Sequence, residues 1–360
     1  MRVHRTSARS RQGDRAPCSN SSADRHLAPA GAIYAVAVSL LFMPLAIPAL
    51  AADMVESKVA YTGYDMDFLR DVNKGTWRDK SRQLSGQLYM PKSGGRHPVV
   101  IVQHGSGSPD HRDYRAWKSD LRDALLPKGI GMFIADSYTG RGISETSKNQ
   151  GQLSRASRTV DALMALSALS ARADVDPSKI GIVGFSFGGS VANLTSNDGF
   201  VSQVLPKGSR FAAHVAVYPA CGGKFERHQP TGAPVLMLLG GADDYTNPAF
   251  CTDSAEGMRG NGAKVELVTF DGAHHGFIST KPVYWNEGAW TFDDCGRQII
   301  GSDGEERDAR ISSEGKSWVE FTRFLAKACG RKGVHIGTNE KAAAGALQRT
   351  VAFFAEHLRK

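Results

Sequence analysis

The chain lacks a dense block of basic residues, and this absence limits the partners it can have. The formal net charge is +8. Residues 1–51 carry six Arg and two Asp, and the remainder carries 38 basic and 34 acidic side chains in mixed order. Because interspersed charges of both signs do not form a continuous basic surface, nucleic-acid binding is not expected. The chain also lacks a repeat with a period of about 20–50 residues, which argues against solenoids and propellers.

Long apolar runs are missing as well, except near the N-terminus. There, six arginines precede an apolar stretch over 31–50, which Pro44 and Pro48 interrupt. The stretch ends at Ala49–Ala51, a small-x-small pattern typical of signal-peptide cleavage. Since a membrane span needs about 20 uninterrupted apolar residues, we expect a signal peptide over 1–51 and no stable membrane insertion after its cleavage. The protein is then periplasmic or secreted, with an uncleaved anchor as the alternative.

Cysteine is scarce, with five residues and no C-x-x-C pair, so zinc-ribbon or thioredoxin-like chemistry is not expected. Cys18 lies in the segment to be removed. The four that remain, an even number in an oxidising compartment, predict two disulfides. Three pairings are open, and we favour Cys221–Cys251 and Cys295–Cys329 because each pair flanks neighbouring segments of the predicted fold. Free buried thiols are the alternative.

Short apolar runs alternate with amphipathic segments along the rest of the chain. Strands are predicted at 83–89, 98–102, 131–135, 180–183, 211–217, 235–239 and 265–270, and helices at 114–126, 155–171, 250–260 and 342–358. This alternation predicts an α/β fold, with a mostly parallel sheet covered by helices on both faces. We expect one domain over 52–360, in which 278–335 form an irregular insertion before the C-terminal helix. Active sites of such sheets lie at the carboxyl ends of the strands.

One serine lies at such a strand end. Gly184-Phe-Ser186-Phe-Gly188-Gly follows the predicted strand 180–183 and precedes a helical segment. A sharp strand-to-helix turn exposes a serine hydroxyl, and glycines on both sides relieve the backbone crowding there. The pattern predicts Ser186 as a nucleophile. A glycine-rich turn with a capping serine is the alternative.

Two later segments supply candidates for the acid and the base. His274 and His275 follow the last predicted strand, and only one of them can face Ser186, so we choose His275 as the base. Asp243 follows the strand 235–239 at the expected spacing for the acid that orients the imidazole, with Asp244 as the alternative. A metal site on the paired histidines needs a third ligand and another spacing, so neither metal nor cofactor is expected.

The fourth strand-end segment is His104-Gly-Ser106-Gly107, after the strand 98–102. Glycine-rich backbone at this place can direct an N–H group at a developing oxyanion. We assign one donor to Ser106 and the other to Phe187, the residue after the nucleophile.

These segments resemble the dienelactone hydrolase-like family of the α/β-hydrolase superfamily. The motifs that carry the resemblance are His104–Gly107, Asp136–Tyr138 with Arg141-Gly142, Gly184–Gly189, Gly240–Asp244 and Ala273–Phe277. The resemblance implies the α/β-hydrolase fold. It also makes Tyr138 and Arg141 candidates for substrate contact, although a structural salt bridge is the more usual role of such an arginine. True dienelactone hydrolases carry Cys where this chain has Ser186, which favours a serine esterase-like relative.

The predicted function is therefore hydrolysis of small-molecule esters or lactones through an acyl-enzyme, with a Ser-His-Asp triad. One alternative is a serine peptidase of the prolyl-oligopeptidase type, which shares the fold but usually carries a propeller. Another is a non-catalytic α/β-hydrolase-fold binding protein, which typically lacks a triad member.

Overall fold

The computed structural model of the protein describes residues Met54–Arg359. The predicted signal peptide over 1–51 and Cys18 lie outside the described residues. Within them, no helix has the length and apolar character that a membrane span requires.

The strands of the described residues are short to medium in length and mostly apolar. They are β1 (Met54–Tyr64), β2 (Ser81–Pro91), β3 (His97–Gln103), β4 (Gly131–Asp136), β5 (Val175–Phe185), β6 (Ala213–Val217), β7 (Gly223–Phe225), β8 (Val235–Gly240), β9 (Val265–Phe270), β10 (Tyr284–Thr291), β11 (Gln298–Ile300), β12 (Glu306–Arg307) and β13 (Arg331–Ile336).

Eight of these strands form the central sheet in the order β1-β2-β4-β3-β5-β6-β8-β9. The six strands from β4 to β9 in that order pair in parallel, whereas β2 is antiparallel to both β1 and β4. The predicted mostly parallel sheet is thus confirmed. Two small sheets, β10-β13 and β12-β11-β7, lie outside it.

Helices cover the central sheet on both faces, as predicted. They are α1 (Arg70–Asn73), α2 (Arg115–Leu125), α3 (Arg155–Ser170), α4 (Phe187–Leu194), α5 (Asp198–Val204), α6 (Pro248–Gly260), α7 (Trp318–Ala328) and α8 (Glu340–Leu358). Side chains alternate along β3: Val99 and Ile101 enter the core that contains α3, whereas Val100 and Val102 enter the core that contains α2 and α8. Because both faces are buried, β3 has the continuous apolar sequence typical of a parallel strand.

The segment 278–335, predicted to be irregular, contains regular structure. Helix α7 begins at a capping box between Ser317 and Glu320, and it buries Trp318, Phe321 and Leu325 on one face. These apolar residues follow the helical period. The helix was not predicted because the segment before it is polar and rich in glycine, which is typical of irregular structure. Strands β10 and β13, which are far apart in sequence, pair with a register shift, and such pairing has no local signal.

The structure pairs Cys221 with Cys251 and Cys295 with Cys329, as predicted. The first disulfide joins the loop after β6 to helix α6. The second joins the segment after β10 to the carboxyl end of helix α7. Cys221 and Cys251 are buried in one apolar cluster, and Cys295 and Cys329 belong to another that contains helix α7.

Candidate active site

Ser186 occupies the sharp turn between β5 and α4. Its backbone has φ +56° and ψ −123°, a region that residues with a side chain rarely adopt. A Cβ atom at Gly184 would collide with the backbone of Gly188, and one at Gly188 would collide with the carbonyl oxygen of Gln103. The turn can therefore form only with glycine at both positions. It leaves Ser186 half-buried at the carboxyl edge of the sheet.

A continuous chain of hydrogen bonds joins Ser186 to an acid through an imidazole. The Oγ of Ser186 lies 2.9 Å from Nε2 of His275, and Nδ1 of His275 lies 2.8 Å from Oδ2 of Asp243. His275 and Asp243 are 3% and 7% exposed. A buried carboxylate at Nδ1 favours the tautomer that leaves Nε2 free to accept the serine proton.

The structure brings Asp243, not Asp244, to the imidazole. Oδ1 of Asp243 accepts hydrogen bonds from the N–H groups of Tyr245 and Thr246, and Oδ2 accepts one from the Thr246 hydroxyl at 2.9 Å. These donors fix the carboxylate in place. Thr246, whose hydroxyl also lies 3.2 Å from Nδ1 of His275, is a site residue that the sequence analysis missed.

Two tyrosines enclose the imidazole of His275. The ring centroid of Tyr218 lies 4.8 Å from that of His275, and the centroid of Tyr245 lies 4.6 Å away on another side. Burial raises the pKa of Tyr245 to about 12 and that of Tyr218 well above its ordinary value, so both phenols are neutral at physiological pH. Two neutral aromatic rings therefore flank the imidazole. Sequence reasoning did not include them because triad motifs do not specify these positions.

Ser106 and Phe187 are the two predicted oxyanion donors. Both residues line a cavity that also contains Ser186. Within the described part of the chain, neither N–H group donates a hydrogen bond to another protein group. Phe187 is the first residue of helix α4, where the N–H has no intrahelical acceptor. Two free donors beside the serine are the arrangement that stabilises a tetrahedral oxyanion.

Arg158 holds the loop that carries Ser106, and sequence reasoning missed it. It is fully buried, and its guanidinium donates to the carbonyl oxygens of His104 at 2.7 Å and Gly105 at 3.2 Å. In a trans peptide the C=O and N–H groups point in opposite directions. When Arg158 holds the Gly105 carbonyl on one side, the Ser106 N–H points to the other. The available signal was a charged residue on the buried face of α3.

The two candidates for substrate contact, Tyr138 and Arg141, do not reach the site. Arg141 donates to both carboxylate oxygens of the buried Asp161, at 2.7 and 3.0 Å, and to Asp65 at 2.7 Å. The hydroxyl of Tyr138, which is 1% exposed, lies 2.8 Å from that of Thr146. Arg141 is therefore engaged in a structural salt bridge. Tyr138 packs against the loop that carries Ser106, through contacts with His104 and Gly105.

The two histidines of the 274–275 pair face different partners. His275 faces Ser186, whereas the ring of His274 lies 5.1 Å from that of His335. Asp244, His274 and His335 form the one group in the described residues with ligand atoms close enough to hold a metal ion, all within 4.8 Å of one another. This donor set suits zinc. Both oxygens of Asp244 already accept hydrogen bonds from His335, at 2.8 Å each, and the group lies outside the hydrogen-bond chain of Ser186.

Two cavities adjoin Ser186, with volumes of about 240 and 140 Å³. We call the larger one the polar arm, which contains His275, Asp113, Glu145, Lys148, Lys281 and Asn286. We call the smaller one the apolar arm, whose walls include Phe187, Phe250, Trp290, Phe292, Trp318 and Leu325 together with Arg155 and Asp293. Ser106, Ser186 and Tyr245 line both arms. A molecule that reacts at Ser186 therefore has access to both arms.

Comparison with known proteins shows the family and the fold. Residues 84–358 match the family model of the dienelactone hydrolase family. The structure is similar to that of a putative dienelactone hydrolase from Klebsiella pneumoniae, with a TM-score of 0.50 and 17% sequence identity, over 84% of this chain and 99% of that one. It is also similar to a dienelactone hydrolase-like promiscuous phosphotriesterase from metagenomic libraries, with a TM-score of 0.50 and 16% identity, over 84% and 98% of the two chains.

Among curated proteins, none matches this chain. The two solved structures share the fold, and the family match covers most of the described residues. The chain therefore belongs to the dienelactone hydrolase family, whose members are carboxylic ester hydrolases of the α/β-hydrolase superfamily.

Proposed function

We propose that the protein hydrolyses carboxylic esters or lactones through an acyl-enzyme on Ser186, with His275 as base and Asp243 as the orienting acid. The observation that carries the proposal is the unbroken hydrogen-bond chain from Ser186 Oγ through His275 to Asp243, with contacts of 2.9 and 2.8 Å. The same chain argues against a non-catalytic binding protein, because a binding site has no need of a relay that ends at a buried carboxylate.

The reaction has two steps. In the first, Ser186 Oγ forms a bond to the ester carbonyl carbon while its proton passes to Nε2 of His275. The bond to the alcohol oxygen then breaks, and His275 gives the proton to that oxygen. In the second step His275 takes a proton from water, the water oxygen attacks the acyl carbon, and Ser186 is released with its proton restored.

The negative charge of each tetrahedral intermediate lies on the former carbonyl oxygen. The N–H groups of Ser106 and Phe187 are free to donate to it. Loss of one such donor typically costs about 3 kcal/mol of transition-state stabilisation. Since these donors act most strongly on the oxyanion, they increase kcat rather than ground-state binding.

The test compares Ser186→Ala with Ser202→Ala, which changes an exposed serine on helix α5. We expect Ser186→Ala to lower kcat for p-nitrophenyl acetate by about 10⁶-fold, and Ser202→Ala to leave it unchanged. Circular dichroism checks that both variants fold. A folded Ser186→Ala variant with full activity would falsify the proposal. Turnover of peptide p-nitroanilides but not esters would instead support the peptidase alternative.

We further infer that residues 1–51 direct export and are then removed, which makes the enzyme periplasmic or secreted. The support is the basic-then-apolar sequence of this segment together with two disulfides in the described residues, because disulfides persist in oxidising compartments. N-terminal sequencing of the protein from cell fractions tests this inference. We expect a start near Ala52 in the extracytoplasmic fraction, and an unprocessed cytoplasmic protein would contradict it.

A further inference from the structure

The two arms that meet at Ser186 differ in chemistry, and the difference specifies a substrate class. This inference rests on the proposed function, since it takes the acyl-enzyme mechanism as given. Each arm binds a different half of the ester.

The position of the base decides which arm holds the alcohol. His275 must give its proton to the leaving oxygen, so the alcohol lies on the side of His275. His275 lines the polar arm and does not line the apolar arm. Phe187, whose N–H faces the oxyanion, lines the apolar arm only. With the alcohol in the polar arm and the oxyanion at the donors, the acyl group occupies the apolar arm.

The apolar arm has the size and walls for one aromatic ring. Its volume of about 140 Å³ is close to the roughly 150 Å³ of an apolar protein cavity that binds one benzene molecule. Trp290 and Phe292 from the 278–335 segment form part of its wall, and Trp318 and Leu325 from helix α7 form another part. Aromatic side chains bind flat rings through edge and offset contacts. A long fatty acyl chain is bulkier than one ring and would extend beyond this volume.

The polar arm suits a neutral group with many hydroxyls. It presents Glu145 and Lys148, which pair with each other at 3.1 Å, together with Asp113, Lys281 and Asn286. Charges of both signs give no net preference for an anion or a cation, but they supply donors and acceptors in close proximity. An apolar alcohol would displace water from these groups without replacing its hydrogen bonds, which costs binding energy.

We propose that the substrates are esters of an arenecarboxylic acid, or of a similarly small apolar acid, with a polyhydroxylated alcohol. The aromatic acyl group binds in the apolar arm and the hydroxyl-rich alcohol binds in the polar arm.

The acyl half is tested with p-nitrophenyl acetate, benzoate and decanoate. We expect kcat/KM for the benzoate to exceed that for the acetate, after correction for intrinsic reactivity, by at least about tenfold, and the decanoate to be the poorest substrate. A preference for the decanoate, or equal rates for acetate and benzoate, overturns the acyl assignment. If Ser186→Ala hydrolyses all three esters as the parent does, the proposed function itself fails, so the two failures are distinguishable.

A pair of variants on helix α7 tests whether the apolar arm is responsible. Leu325 lines the arm and is buried, whereas the neighbouring Phe324 is 38% exposed and points away. We expect Leu325→Trp, which fills the arm, to lower the benzoate-to-acetate ratio of kcat/KM by about tenfold, and Phe324→Trp to leave the ratio unchanged. If Leu325→Trp does not fold, Phe292→Ala replaces it, and the decanoate should then become a better substrate. If a folded Leu325→Trp or Phe292→Ala variant has the same relative kcat/KM values for the acetate, benzoate and decanoate esters as the parent, the assignment of the acyl group to the apolar arm is overturned.

The alcohol half is tested with glyceryl 1-benzoate and hexyl benzoate, which share the acyl group. Each hydrogen bond to the glyceryl hydroxyls contributes about fivefold, so we expect kcat/KM for the glyceryl ester to be higher by at least that factor. A preference for the hexyl ester shows that the polar arm does not bind the alcohol and overturns this half of the proposal.

Discussion

Asp243 and Asp244 are adjacent acids with separate partners, and they allow a matched test of the triad. Asp243 contacts Nδ1 of His275, whereas Asp244 contacts His335. We expect Asp243→Asn to lower kcat by about 10⁴-fold, because an amide no longer favours the required tautomer. Asp244→Asn should change kcat by less than about fivefold, since it weakens a hydrogen bond to His335 that lies outside the triad. Equal losses in steady-state kinetics would contradict the assignment of the acid.

Arg158 is a positioning residue whose effect should be seen in the reaction rather than in binding. Arg158→Met removes the donors to the carbonyl oxygens of His104 and Gly105, which lets the peptide of Ser106 turn. We expect kcat to fall by about tenfold or more, since oxyanion donors act in the transition state, with KM within about threefold. A lower free energy of unfolding with kcat unchanged would indicate a structural role alone.

Asp293 lines the apolar arm, and burial raises its pKa to about 6 from an ordinary 3.8. The folded state therefore holds this proton more tightly than the unfolded state does. The resulting stabilisation is full below about pH 4 and is lost as pH rises through about 6.

Asp293→Asn removes this pH dependence because its side chain stays neutral. Between pH 5 and 7.5 we expect the parent to lose about 1 kcal/mol of stability relative to the variant, an amount already reduced for partial exposure to solvent. Urea unfolding of both proteins at the two pH values measures the difference. A constant difference between the two proteins would show that burial does not perturb this carboxyl.

At the scale of elements, the disulfide between Cys295 and Cys329 connects two walls of the apolar arm. It closes a loop with a sequence separation of 34 residues between β10 and the end of helix α7. We expect the double variant Cys295→Ser/Cys329→Ser to lose about 3 kcal/mol of stability. It should also lose part of its preference for benzoate over acetate, because the walls of the arm are less well fixed. Thermal unfolding and the two-substrate assay measure these effects, and a double variant with unchanged stability would contradict the first.

The elements also show which parts of the fold are readable from local sequence. Buried strands such as β3 and β5 were predictable because a short apolar run bounded by turn residues is typical of a buried strand. Strand β1 was missed because its exposed face is polar and its pairing with β2 is set by tertiary contacts. Helix α7 was missed because a polar, glycine-rich stretch precedes its apolar face.

At the scale of the whole molecule, the carboxyl edge of one sheet brings together residues from distant segments. Ser186, Asp243 and His275 were predictable as candidates because each follows a strand in a motif with a clear chemical purpose. Spacing favoured Asp243 over Asp244 as the acid, but the contacts of the three side chains could not be predicted, since these depend on loop conformation. Arg158 and Tyr218 could not be assigned roles from sequence because they act on the site through packing and backbone contacts. The substrate arms depend on the 278–335 segment, which no motif describes.

In the proposed mechanism, Ser186 carries the acyl group during turnover. Mass spectrometry of peptides from protein quenched during hydrolysis of p-nitrophenyl benzoate detects this group. We expect a benzoyl group on the peptide that contains Ser186, present in the parent and absent in a folded Ser186→Ala variant. A benzoyl group on another residue that disappears at the rate of turnover, with Ser186 unmodified, would contradict it.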